Sequence, residues 1–323
     1  MTDQPLVSIL VITYQHAAFI DHAIRSIVEQ DYRNIEVVVA DDGSADGAQD
    51  RIRQWAAADD RIVPLLAASN TGLSANWNRG LGRCTGDLIA VLSGDDEMLP
   101  GRLTKQAAFM RAHPECGIST HDMEIFESST GRTLYRLYDR FLPKNGGIEI
   151  LFTTSWLFGR DVKAIPSSCM FRAGAVRSHR YDARLRIMNE WLFEIDCFAR
   201  TGMQYLTMPE VLGRYRTHEE QLSQSPEAVN CGFEEAMMTL AIAESRYPEL
   251  ASLVKNKREF MLFRHLVLGW FPEQDRPAFD RQFRIEAGLL KWLYMRAARF
   301  VVGRRWLVDM SRPARTVVRR MQG

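Results

Sequence analysis

Three apolar runs, each closing on polar residues, constrain this chain more than any other feature. LVSILVITY (6–14), IEVVVADDGS (35–44) and DLIAVLSGDD (87–96) are rich in β-branched residues and show no alternation of apolar and polar positions. A strand reads that way when both its faces are buried, as in a parallel sheet covered by helices. Between the first two runs, AFIDHAIRSIVEQ (18–30) carries Ile20, Ala23, Ile24, Ile27 and Val28 at the spacing of a helix with one buried face. Further helices are expected near 46–58 and 72–83, with a short strand at RIVPLLA (61–67) between them. Strand and helix alternate too closely for anything but right-handed βαβ crossovers, so this part of the chain is expected to be a doubly wound, mainly parallel α/β layer.

Ligands bind such sheets outside the carboxyl ends of the strands. Tyr14, the Asp41–Ser44 turn and the Ser93–Asp96 turn all fall there. Asp95 and Asp96 repel each other at the mouth of a buried strand, so something cationic must neutralise them or the fold loses stability; a metal ion is one candidate. A strand-end carboxylate also serves turns and helix N-caps, so neither cluster decides alone. Their convergence on one edge is what favours a binding site.

Beyond this layer the pattern weakens between about 115 and 170, and PKNGG (143–147) marks a loop. NEWLFEIDCFARTG (189–202) reads as a helix with Gly202 as its C-cap. MQYLTMPEVLGRYRTH (203–218) alternates like a pair of strands, and from 226 only helical patterns follow. The 323 residues carry a net charge of +1, which predicts no polyanionic partner, but the charge is uneven. From Arg281 to Arg320 arginines and Lys291 face only Glu286 and Asp309. The five cysteines, Cys84, Cys116, Cys169, Cys197 and Cys231, show no paired spacing, which fits free thiols in a reducing compartment. The N-terminus lacks the pattern of a signal peptide and no apolar run reaches the roughly 20 residues that span a bilayer, so a cytoplasmic location is expected.

The order of the pieces carries a specific likeness. SILVITYQHAAFIDHAIRSIVEQDYRNIEVVVADDGSADG followed by NTGLSANWNRGLGRCTGDLIAVLSGDDEMLP resembles the nucleotide-sugar-binding half of family 2 glycosyltransferases, inverting enzymes of the GT-A fold. A looser stretch, from IPSSCMFRAG to GRYRTHEEQLS, resembles their acceptor half. The resemblance implies a GT-A domain over residues 1–225, with 1–112 binding the donor and 113–225 the acceptor, followed by a helical region at 226–323.

It also implies roles. The family's D-x-D element, whose last aspartate binds Mg2+ or Mn2+, here reads Ser93-Gly94-Asp95, so Asp95 takes the metal-binding place and Ser93 replaces the aspartate that faces the ribose. Thr13, Tyr14 and Gln15 fall at the nucleoside, Asp41 where a carboxylate accepts a base N–H, and Asp42 and Ser44 beside it. Asn76 is a further candidate for donor contact, whereas Asn70 reads as a helix cap. The acceptor hydroxyl needs a base, which the family carries as a carboxylate at the start of an acceptor-side helix; Glu190 holds that place, with Glu194 and Asp196 as weaker alternatives. A first-turn glutamate equally suits the helix dipole. His218 matches the Y-R-x-H ending that approaches metal or diphosphate, and Arg216 is expected to steady the diphosphate. His16 and His22 read as structural.

The expected activity is transfer of a sugar from a nucleotide-diphosphate-sugar, by preference a UDP-sugar, to a hydroxyl of a glycan or lipid-linked acceptor. The alternative is a non-catalytic nucleotide-sugar-binding or scaffold protein on the same fold, favoured by Ser93. The cationic, aromatic stretch 281–323 suits the anionic cytoplasmic face of the inner membrane, or a helix packed on the enzyme with its arginines in water. Its aromatic residues follow helical rather than base-stacking logic, so nucleic acid is not expected as a partner.

Overall fold

A computed structural model describes residues 4–141, 143–152, 164–186, 188–219, 221, 226–268, 281 and 284–285, with backbone alone at 226–232 and 264–268. The chain forms two compact units, 1–248 and 249–323.

The first unit begins as its hydrophobic pattern dictates. Strand β1 (Val7–Thr13) is buried at every position. It pairs in parallel with β2 (Ile35–Asp41) on one side and β4 (Leu88–Ser93) on the other, and β2 pairs in parallel with β3 (Ile62–Leu66). Helices α1 (Ile20–Val28), α2 (Ala48–Ala58) and α3 (Leu73–Arg83) are the crossovers. On α1, Ile20, Ala23, Ile24 and Ile27 face the sheet and join one core with Val7, Ile9, Val11 and Val37. Each such side chain contributes about 1.5–3 kcal/mol on burial, which is why a run of seven needs no polar alternation. The register Thr13↔Asp41 and Ile12↔Ser93 brings the three polar strand ends level along one edge.

The second half turns the sheet antiparallel. After the two-residue β5 (Glu97–Met98) and α4 (Arg102–Ala112), β6 (Cys116–Glu127) pairs with β8 (Met170–Arg172), which pairs with β4; β7 (Thr133–Arg136) lies against β6. The short α5 (Leu137–Arg140) and α6 (Ala173–Val176) and the longer α7 (Asn189–Thr201) follow their neighbouring strands, and Gly202 ends α7 at φ +65°. The segment 203–218 is one strand, β9 (Gln204–Thr217), rather than the expected pair. It runs parallel to β6 and absorbs a bulge at Pro209–Glu210, where the register passes from His121↔Met208 to Asp122↔Val211. Proline is tolerated in a strand at such a bulge. Past it β9 also pairs with β5, Glu97 opposite Arg214, so the chain just after Asp95–Asp96 is clamped to the chain just before His218.

Helix α8 (Pro226–Arg246) belongs with the first unit, which ends at Pro248. Charged contacts explain this: Arg246 pairs with Asp196 of α7 at 2.5 Å and with Asp182 at 3.0 Å, and Tyr247 Oη donates to Asp196 at 2.8 Å. The second unit is described mainly by α9 (Ala251–Leu268). No helix among the described residues is long and apolar enough to cross a membrane. Apart from Arg281, Arg284 and Ile285, the stretch 281–323 expected to meet a membrane lies outside the described residues. Cys84, Cys116, Cys169 and Cys197 are buried and free, and burial pushes the Cys84, Cys116 and Cys169 thiols up to about 12.

Candidate functional site

The two carboxylates that end β4 point to different places. Asp96 is buried and accepts the Ser167 hydroxyl at 2.5 Å and the Arg216 backbone N–H at 2.9 Å. Burial first, and then the Asp95 charge, push its carboxyl well above the ordinary carboxylate range. Asp95 faces two imidazoles. Its Oδ2 lies 3.1 Å from His218 Nε2 and 3.9 Å from His16 Nε2. Burial opposes ionisation of Asp95, but the hydrogen bond from His218 and the charges of both histidines hold its carboxyl below the usual range. Asp96 is thus tied into the fold, whereas Asp95 faces the two histidines.

The donor atoms of His16, Asp95 and His218 all lie within 4.8 Å of one another, a spacing that suits one metal ion. The surroundings fit such an ion. His16 Nδ1 and Thr13 Oγ1 are buried without a partner, and both converge on the place where a Cβ on Gly94 would sit, 3.0 and 2.5 Å from it. Gly94 therefore lets the ends of β1 and β4 approach, leaving unsatisfied polar atoms beside the cluster. Phe19 packs against His218 at 4.8 Å and against His16 at 6.3 Å between ring centroids. His16, expected to be structural, stands in this cluster. Its one signal was position, in the same strand-end loop as Tyr14 and Gln15.

Arg216, expected to steady the diphosphate, is bonded to the turn that carries Asp95. Its Nε donates to the Asp95 carbonyl at 2.8 Å, an Nη to Glu97 at 2.6 Å, and its guanidinium lies over Phe126 at 4.6 Å. It fastens the Asp95–Glu97 turn to β9. Ser167 completes the support, accepting the Ser93 N–H at 3.0 Å while donating to Asp96.

The β2 turn is likewise self-contained. The buried Asp41 carboxylate accepts Gly43 N–H at 3.1 Å, Ser44 N–H at 2.9 Å, the Ser44 hydroxyl at 2.5 Å and Gln49 Nε2 at 2.8 Å. Ser44 Oγ in turn accepts the N–H of Gln15, which sits at φ +57°. Asp42 accepts Thr71 N–H at 2.9 Å, the Thr71 hydroxyl at 2.6 Å and Gly72 N–H at 2.9 Å, holding the loop that starts α3. Gly43 is required between them, because its φ is +77° and a Cβ would lie 2.3 Å from the Ser69 carbonyl carbon. A buried carboxylate must be satisfied by donors, which is why Asp41 and Asp42 shape the loops in place of presenting open acceptors. Tyr14, by contrast, is 42% exposed at this edge.

Asn76, the further candidate for donor contact, is bonded within the fold. It is buried, its Nδ2 donates to Ala40 O at 2.8 Å and its Oδ1 accepts from Arg79 at 2.6 Å, which ties α3 to β2. Asn70 accepts Gly72 N–H at 3.1 Å, an Asx turn leading into α3.

Glu190 stands in the first turn of α7. That turn is anchored to the same loop: Ser74 Oγ donates to Leu185 O at 3.0 Å and accepts Asn189 Nδ2 at 3.1 Å. On its other side Glu235 of α8 accepts the N–H groups of Arg186 at 2.9 Å and Met188 at 3.0 Å. The two alternative carboxylates are occupied. Glu194 pairs with Lys144 at 2.9 Å and accepts the Tyr205 hydroxyl at 3.3 Å, and Asp196 is held by Arg246 and Tyr247.

A parallel sheet that turns antiparallel beyond β4, with Asp95 just past that strand and beside two histidines, has the architecture of a GT-A fold. Comparison with known proteins agrees. The profile of the family described as Glycosyl transferase family 2 matches residues 8–169, half of the chain, and the chain belongs to that family. Putative glycosyltransferase EpsE of Bacillus subtilis (strain 168) is 36% identical over 128 residues, 39% of this chain and 46% of that protein. A GalNAc(5)-diNAcBac-PP-undecaprenol beta-1,3-glucosyltransferase of Campylobacter jejuni is 34% identical over 101 residues, 31% of this chain and 33% of that protein. The match thus takes in less than half the length of these curated relatives. Among solved structures, S. aureus TarS 1-349 in complex with UDP-GlcNAc superposes with a TM-score of 0.65 at 17% identity, covering 91% of this chain and 88% of that one. Mannosyltransferase PcManGT from Pyrobaculum calidifontis, in complex with GDP-Man and Mn2+, gives 0.56 at 17% identity, covering 95% and 88%. At these identities the likeness is one of fold.

Proposed function

We propose that this chain is an inverting glycosyltransferase that moves a sugar from a nucleotide-diphosphate-sugar to a hydroxyl of a glycan or lipid-linked acceptor. The observation that carries the reading is the Asp95–His218 contact of 3.1 Å at the carboxyl end of β4, with His16 beside it. In this reading Asp95 and His218 hold a divalent cation, Mn2+ or Mg2+, which when bound offsets the negative charge of the departing diphosphate. Tyr14, exposed at the edge, offers its ring to the base, while Thr13 Oγ1 and Ser93 supply hydroxyls at the ribose side. Asp41, Asp42, Ser44 and Gln15 act through the backbone loops they hold in place. Glu190 takes the proton from the acceptor hydroxyl as that oxygen attacks opposite the leaving group.

The TarS complex supports a UDP-sugar donor, and the GDP-Man complex shows a second nucleotide on this fold. The name of the Campylobacter relative supports a lipid-linked acceptor, and the arginine-rich 281–323 would meet anionic lipid beside it. The test is calorimetric titration of UDP, GDP, CDP and dTDP with and without Mn2+, on the parent and on Asp95→Ala. One nucleotide that needs both Mn2+ and Asp95 is expected; equal binding by Asp95→Ala would remove the reading.

A further inference from the structure

We infer that His16 is a third protein ligand, and that with Asp95 and His218 it makes a nitrogen-rich site selecting a first-row transition ion over Mg2+. The inference rests on the donor-site reading above and deepens it.

His16 is fixed as a ligand would be. Its carbonyl accepts the N–H groups of Phe19 and Ile20, both at 2.9 Å, so the residue sits on the entry turn of α1. The next residue is tied across the edge, Ala17 N–H donating to Asp46 at 2.7 Å. Phe19 restrains both imidazoles. Yet the His16 ring makes no hydrogen bond of its own: Nδ1 is buried without a partner, and Nε2 stands 3.9 Å from Asp95 Oδ2, too far for one. An imidazole held rigidly, four-fifths covered and unbonded, beside a carboxylate and a second imidazole is a group with an unfilled task. Metal–nitrogen and metal–oxygen bonds of about 2.0–2.2 Å are compatible with donor atoms 3.1 and 3.9 Å apart.

The donor set then decides the ion. Mg2+ takes oxygen ligands and is bound through one or two carboxylates plus phosphates. Imidazole favours transition ions, and affinity rises from Mn2+ to Co2+ along the first row. With Ser93 in place of one carboxylate, the protein offers two nitrogens and one oxygen, a set that disfavours Mg2+.

The experiment is calorimetric titration of Mn2+, Co2+ and Mg2+ into the UDP-saturated full chain, for the parent, His16→Ala, His16→Asp and Asp95→Ala. Pulsed EPR of the Mn2+-loaded protein counts the bound imidazoles, and His16→Gln, which keeps most of the volume, replaces His16→Ala if that variant unfolds. The expected result is two imidazole couplings in the parent and one in His16→Ala. The Mn2+ over Mg2+ preference should fall roughly 10- to 100-fold in His16→Ala, and His16→Asp should move it toward Mg2+. A single coupling in the parent, with the preference unchanged in His16→Ala, overturns the inference while leaving the donor site standing. Undiminished Mn2+ binding by Asp95→Ala overturns both.

Discussion

The side-chain amide of Asn189 donates to Ser74 Oγ at 3.1 Å, joining the first turn of α7 to the first turn of α3. Through Gly72 and Asp42, the turn bearing Glu190 is thereby connected to the end of β2. Replacing Asn189, which is fully buried, by alanine removes that connection and is expected to cost about 1–3 kcal/mol. If the connection positions Glu190, turnover should fall further than nucleotide affinity. Thermal unfolding, together with kcat and nucleotide Kd on the same variant, checks both parts.

Asp95 and Asp96 should separate cleanly. Asp95→Asn is expected to abolish metal-dependent nucleotide binding with little loss of stability, since a ligand site is not optimised for folding. Asp96→Asn perturbs the Ser167 and Arg216 contacts and should lower stability by about 1–3 kcal/mol. Urea unfolding beside Mn2+–UDP calorimetry would show the two effects exchanged if the assignment were reversed.

Glu190→Gln keeps the shape of the first turn of α7 and removes the proposed base. Sugar transfer should fall by about 100- to 10,000-fold while donor and metal affinities stay within about twofold. Glu194→Gln should instead show its main effect as lost stability, because it leaves Lys144 without its charged partner. Parent-like transfer by Glu190→Gln would reassign the base.

Acid should destabilise the fold through His121. The residue is fully buried, and burial followed by the Arg102 charge holds its imidazole well below the ordinary histidine range. The folded state therefore keeps His121 neutral. Its contribution is complete above about pH 6.5, the unfolded value, and is lost as pH falls below that, by at most about 1.4 kcal/mol per pH unit. His179, also lowered chiefly by burial, adds with the same sign. Urea unfolding at pH 7.5 and 5.5 should show a steeper loss for the parent than for His121→Asn.

Two glycines should behave differently from one another. Gly94→Ala places a methyl group 2.5 Å from Thr13 Oγ1, 2.7 Å from Thr13 Cβ and 3.0 Å from His16 Nδ1, so the end of β1 must shift and metal affinity should fall together with stability, though by less than where backbone is met. Gly43→Ala meets Ser69 backbone at 2.3 Å in a left-handed conformation, so the whole turn must move. A loss of several kcal/mol is expected there, with nucleotide binding lost alongside. Melting temperatures and Mn2+ titrations distinguish the two.

The first half of the fold was legible because its strands are buried on both faces. A run such as VSILVIT leaves no other reading, and the helix between β1 and β2 showed its buried stripe directly. Strand β6 was not legible: Ser119, Thr120, His121 and Asp122 are buried, and a polar run reads as loop until its partners are known. Those partners lie outside the run, on other elements: Gln106 Nε2 of α4 donates to the Ser119 carbonyl and Thr120 meets Thr207 of β9. The same holds for β9, whose bulge hides its continuity from a test for alternation.

The site divides along the same line. Asp95 and His218, singled out through the family resemblance, lie 3.1 Å apart, and Glu190 stands in the first turn of α7. The sequence alone determined that carboxylates, glycines and hydroxyls gather at one edge of a parallel sheet, because hydrophobic periodicity fixes where each strand stops. Only the tertiary structure decided which of those groups remain available. Asp41, Asp42, Asp96, Asn76 and Arg216 are consumed by hydrogen bonds within the fold, while His16 lies beside a carboxylate with its ring unbonded. Residue type determines what a side chain can bond, but burial and the donors within about 3 Å determine what is left for a ligand.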